Sequence, residues 1–164
     1  MTAAVTWPEA VAQLAGARTR AETCAALLKK YGDGAQIDRG QLIYSDAKAD
    51  ADAVIAGLIT ALSEGQEPAS LSSLQARLQR SVSGLAELCD LAAKLLPATA
   101  GQKGFWADIV GIVKDATDLL KMLSNAVSVL YNNHRADDPL TREAIKTQLE
   151  AARWPEFSEV KAAQ

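Results

Sequence analysis

The stretch LSSLQARLQRSVSGLAELCDLAAKL, residues 71–95, decides the fold. Within it Leu71, Leu74, Leu78, Ser81, Leu85, Leu88, Ala92 and Leu95 recur at alternating steps of three and four. That rhythm lines one side of an α-helix with apolar side chains, which another helix must cover. A second stripe keeps the same rhythm: Trp106, Ile109, Val113, Ala116, Leu120, Leu123, Val127 and Leu130. Val82, Cys89 and Leu96 flank the first stripe, as Ile112, Leu119 and Ala126 flank the second. Each apolar face is therefore wide enough to serve two neighbours, as in a bundle rather than a free coiled coil.

Working outward, Asp38 with Gln41 matches a capping box, and Ile37 with Leu42 a hydrophobic staple. These open a helix whose stripe is Tyr44, Ala47, Ala51, Ile55, Leu58 and Leu62. Thr6 with Glu9 and Thr19 with Glu22 are further capping boxes, separated by Gly16; Gly32 and Gly34 terminate what they open. Asp138-Pro139 caps a last helix, which Trp154-Pro155 ends. The expected fold is all-α: an antiparallel bundle of three long helices (about 38–63, 70–96 and 105–133). Shorter helices lie at the N-terminus (about 7–16 and 20–31) and the C-terminus (about 139–153). Short connections make the long helices antiparallel neighbours. Gly57, Gly84 and Gly111 are evenly spaced, but their surroundings do not match. They are read as points of close backbone approach, not as an internal repeat.

The 164 residues suit a single domain, 1–164, with a frayed tail over 158–164. Hydrophobic residues make up 49% and aromatics only 5%, so Leu, Ile, Val and Ala must build the core. The Ala-rich, well-capped style suggests a bacterial source. A net charge of −3 argues against a nucleic-acid partner, and Lys29-Lys30 is too short a basic run to reverse that. The first residues lack a basic region followed by an apolar one, and no uncharged run reaches the ~18 residues of a membrane span. A cytoplasmic location is expected, with Cys24 and Cys89 reduced and packed in the core.

No catalytic constellation stands out. His134 is the sole histidine, which rules out a two-histidine metal site within the chain, and its place at a helix end suits a favourable meeting with the helix C-terminus. No phosphate-cradling glycine loop and no nucleophile motif occurs. No cofactor, metal or catalytic residue is assigned. The one chemically suggestive run is Asp38 to Asp52, where Asp46 and Asp50 share a helix face and Arg39 projects from the same flank. It reads either as an acidic patch for a cation or basic partner, or as a solvated flank with Lys48 paired to Asp52 and Arg80 reaching Asp50. Trp7 and Trp154 either anchor the terminal helices or, if exposed, form a binding hot spot. Arg39, Asp46, Asp50, Trp7 and Trp154 are thus the candidate binding residues.

The expected function is a small helical-bundle interaction protein: an adaptor, regulator or inhibitor acting through a protein–protein surface, with a homodimer in view. The alternative is a membrane-acting or pore-forming bundle using the amphipathic helix from Phe105. Its charges sum to −1 over Phe105–Asn125 (Asp108, Asp115 and Asp118 against Lys114 and Lys121), which disfavours anionic membranes. An enzyme with a carboxylate site at Asp46 and Asp50 ranks third.

Overall fold

Thr6 starts the first helix, α1 (Trp7–Tyr31), by accepting the Glu9 amide on its hydroxyl, and Pro8 occupies the first turn, where no amide is needed. In this computed structural model, which describes residues 5–63, 65, 67, 69–95, 116–132 and 139–163, four further helices follow. They are α2 (Gly34–Leu62), α3 (Leu71–Leu95), α4 (Ala116–Asn132) and α5 (Pro139–Ala151). The chain is an all-α bundle, and among the described residues no helix is long and apolar enough to cross a membrane.

Two expected boundaries move. The separate helices at 7–16 and 20–31 are one continuous α1, and Thr19, instead of capping, donates its hydroxyl back to the Ala15 carbonyl at 3.2 Å. A mid-helix glycine costs about 1 kcal/mol. That is small beside the unbroken buried stripe of Leu14, Ala17, Ala21, Cys24 and Leu28 that runs past it. The second helix begins at Gly34 rather than near 38. Asp33 forms the full capping box with Gln36, both bonds at 2.9 Å, so Gly34 opens a helix instead of ending one. Leu42 is 69% exposed, so the Ile37–Leu42 staple is not made.

α2 and α3 form an antiparallel hairpin turning at Gly65, whose φ of +75° is one that side chains rarely tolerate. The two helices touch closely at Gly57, against Leu74, and at Gly84, against Ala47. The buried Ser81 hydroxyl donates to the Ala47 carbonyl at 3.0 Å, so the only polar residue of the α3 stripe is satisfied. α4 runs antiparallel to α3, joined by Gln75 to Ser128 at 3.1 Å and by the Tyr131 hydroxyl to the Ala69 carbonyl at 3.0 Å. Its buried face is Leu119, Leu123, Ala126, Val127 and Leu130, rotated toward the flank of the expected stripe; Leu120 is half-buried. Residues 105–115, Gly111 and His134 lie outside the described residues.

Cys24 on α1 and Cys89 on α3 form a disulfide with Cα atoms 5.4 Å apart, correcting their reading as reduced core residues. Each sits on the buried stripe of its own helix, and α1 packs on α3, which brings two fully buried sulfurs together.

The glycines predict opposite outcomes for one change. A methyl at Gly16 meets nothing within 4 Å, so Gly16→Ala should stabilise by about 0.5–1 kcal/mol in urea unfolding. At Gly84 the same methyl lies 2.9 Å from the Ala47 Cβ, which is fixed to the α2 backbone. Gly84→Ala should therefore destabilise by about 1–3 kcal/mol despite its helix propensity; a gain at Gly84 would show that α2 and α3 stand far enough apart there to admit the methyl.

Candidate functional site

The acidic flank of α2 ties helices together. The Asp50 carboxylate lies 3.6 Å from the Arg77 guanidinium and 3.5 Å from that of Arg80, both on α3. Arg39 reaches Glu87 of α3 at 3.7 Å. Asp46 is exposed on the same helix. Among the described residues no three His, Cys, Asp or Glu side chains converge as a metal site would require. Arg39 and Asp50 thus join the α2–α3 seam, where partly exposed pairs contribute at most about 1 kcal/mol each. Trp7 packs half-buried against the core at the first turn of α1. Trp154 lies elsewhere, buried against Tyr44 of α2 with ring centroids 5.5 Å apart.

Trp154 begins a segment bonded at several points to α1 and α2. The segment after α5, expected to fray from 158, is a strap seated on α1 and α2 as far as Ala163. Phe157 and Val160 are buried, and a single 3-10 turn, η1 (Phe157–Glu159), lies between them. The expectation of fraying rested on nearness to the chain end; three apolar anchors outweigh it.

The grip on the strap is largely on its main chain. Arg18 of α1 donates at 2.6 Å to the carbonyl of Ala151, one of the unpaired acceptors at the end of α5. The Asp52 carboxylate accepts the Trp154 amide at 3.2 Å. The Tyr44 hydroxyl donates to the Pro155 carbonyl at 2.7 Å. The Lys29 ammonium donates to the carbonyls of Phe157 and Val160 and sits 4.5 Å from the centre of the Phe157 ring. Last, the Ala163 amide donates to the Ala26 carbonyl at 3.0 Å. Tyr44 is the hub: fully buried, it has the rings of Trp154 and Phe157 each 5.5 Å from its own.

Electrostatics hold the arrangement in register. Lys48 pairs with Asp52 at 2.6 Å and reaches Glu156 of the strap at 3.6 Å. The Asp52 hydrogen bond, ahead of the opposing effect of burial, raises the Lys48 ammonium above its ordinary value. Burial lowers Lys29, which exchanges water for two carbonyls and a ring face. Burial, and after it the charges of Glu22 and Asp52, push the Tyr44 phenol well above its ordinary value.

These shifts predict alkaline sensitivity. A phenol that holds its proton more tightly folded than unfolded lends stability that is full below about pH 10 and is lost as pH rises toward the folded value. Lys48 has the same sign and Lys29 the opposite one. Melting temperature should therefore fall above about pH 10, and Tyr44 phenolate absorbance should arrive together with loss of helical circular dichroism. Tyr44→Phe should remove that absorbance and cost about 1 kcal/mol at neutral pH through the lost bond to Pro155. A Tyr44 phenolate forming at about pH 10 in folded protein would contradict the buried hub.

Arg18, Lys29, Tyr44 and Asp52 escape the sequence reading for an identifiable reason. Lys29 counts there only as half of a short basic pair and Tyr44 only as core. The available signal is the spacing Trp154, Phe157, Val160 directly after an amphipathic helix. Compared with known proteins, this chain matches no protein-family model, no curated protein and no solved structure.

Proposed function

We propose that the chain is a small helical-bundle interaction protein, an adaptor, regulator or inhibitor acting through a protein–protein surface. The observation that carries this reading is the α1–α2 face. It holds a segment of irregular backbone with one 3-10 turn by its main chain and by aromatic anchors, the chemistry by which proteins recognise peptides. An acidic balance fits a protein partner better than a nucleic acid. A homodimer stays within the proposal, since Leu42 and Leu140 are 69% and 80% exposed. The Cys24–Cys89 bridge favours an oxidising compartment over the cytoplasmic location expected from the sequence. The membrane-acting alternative rests on residues 105–115, outside the described residues. The carboxylate enzyme loses support because Asp50 is engaged by two arginines.

The test is photo-crosslinking in the source cells from exposed positions, Leu42, Leu140 and Glu156, followed by reconstitution from purified components. A partner, or a second copy, should bind the full chain at micromolar concentration or tighter (about −8 kcal/mol). Crosslinks that never reconstitute, with light scattering showing a monomer at every concentration, would count decisively against an interaction role.

A further inference from the structure

We infer that the α1–α2 groove is a peptide-binding site closed in cis by the chain's own residues 154–160. Its partner is a protein segment carrying a bulky aromatic residue, an acidic residue two places on, Phe at the third place and an aliphatic residue at the sixth. The inference rests on the interaction reading above and names the surface and its ligand.

Four observations carry it. The groove contacts the strap mainly through backbone groups that any peptide possesses, using Lys29, Tyr44 and Asp52. Main-chain bonds of this kind supply affinity while side-chain seats supply selectivity. Those seats take Trp154, Phe157 and Val160, all buried, whereas Glu156, Ser158 and Glu159 face solvent. The strap has little structure of its own to lose: its internal backbone bonds are Glu159 to Glu156 at 2.9 Å and Val160 to Phe157 at 3.2 Å. It can therefore leave without unwinding α1 or α2. One charge contact joins strap and face at the rim, where Lys48 lies 3.6 Å from Glu156, while Arg18 and Lys48 also pair on the face itself with Glu22 and Asp52 at 2.6 Å each.

A tethered ligand competes at an effective concentration in the millimolar range, so the closed groove should hide its own affinity. The probe is a fluorescein-labelled peptide with the sequence of residues 152–163, titrated by anisotropy. The receptor is the full chain carrying Trp154→Ala, Phe157→Ala and Val160→Ala. This emptied chain should bind the peptide at micromolar Kd, and the wild-type chain about 100-fold more weakly. Adding Lys29→Gln and Tyr44→Phe to the emptied chain should weaken binding at least about tenfold. A peptide with its three anchors changed to Ala should not bind.

An emptied chain that melts cooperatively yet ignores the peptide overturns the proposal, because the strap is then ordinary core. Dimerisation of the wild-type chain that the peptide competes away also overturns it, making a second copy the occupant. Where the emptied chain does not fold, hydrogen exchange on the wild-type chain decides. Amides of Trp154, Val160 and Ala163 should exchange about 100-fold or more ahead of Leu58 in α2. Exchange of all four only on global unfolding overturns the proposal. Failure here, with a partner still reconstituted on Leu42 or Leu140, would leave the interaction reading standing.

Discussion

Replacing Cys24 and Cys89 together with alanine should lower the unfolding free energy by about 4 kcal/mol. The bridge closes a loop of 65 residues that contains all of α2 and most of α3. It removes from the unfolded chain the conformations in which α1 drifts away from its partners. Each sulfur is fully buried, so truncation also leaves small voids. In urea the midpoint should fall by roughly 2 M, and the melting temperature by on the order of 10 °C. The wild-type chain under strong reductant should approach the variant, since it loses the same constraint. Two checks bear on the premise: denatured, unreduced protein should yield no free thiol, and oxidised and reduced wild type should melt apart. Coincident melts would mean that α1 is held to α3 by packing alone. A confirmed bridge would also strengthen the case for an oxidising compartment.

The difference between what the sequence reveals and what it conceals follows the range of the interactions. The α3 stripe is legible because helical periodicity is local: Leu74, Leu78, Ser81, Leu85, Leu88 and Ala92 are all buried at the spacing that announces them. Capping chemistry is local too, but degenerate. Asp33-x-x-Gln36 and Asp38-x-x-Gln41 both match the box, and only the first lies where the chain leaves Gly32 and turns into α2. Gly16 and Thr19 imitate a boundary that packing across α1 overrides. The strap is of another kind, because its bonds join residues more than a hundred positions apart, as Tyr44 to Pro155 and Lys29 to Val160. No periodicity connects such partners, and each alone has a blander role available. The same holds for the cysteines, each of which reads as a small packing residue until α1 is laid on α3. The arginines that engage Asp50 come from α3 at the register set by the hairpin, so the reach of Arg80 to Asp50 is legible from the antiparallel arrangement, and Arg77, one turn away on the same face, joins it.

Leu78→Asp and Leu120→Asp should separate sharply, although heptad position alone makes them equivalent. Leu78 is 4% exposed. It faces a narrow apolar crevice shared with Leu14 and Ala17 of α1, Val54 and Ile55 of α2, and Leu123 of α4. An aspartate there loses the packing of a leucine, which costs about 2–5 kcal/mol. It also places a carboxylate where those neighbours offer no cationic partner, so it must either remain charged at high cost or take up a proton. The sum should reach about 5 kcal/mol or more, comparable with the whole stability of a domain this size, and leave much of the chain unfolded at 25 °C. Leu120 is half-buried beside Ser72, Gln75 and Gln79 of α3 along an open, polar-edged groove. An aspartate at that rim can turn toward water and amide donors, so the loss should be about 1–2 kcal/mol. Chemical denaturation of the two variants gives the comparison directly. Equal losses would show that α4 is rotated by about one residue from the placement that buries Leu119, Ala126 and Val127, returning Leu120 to the core.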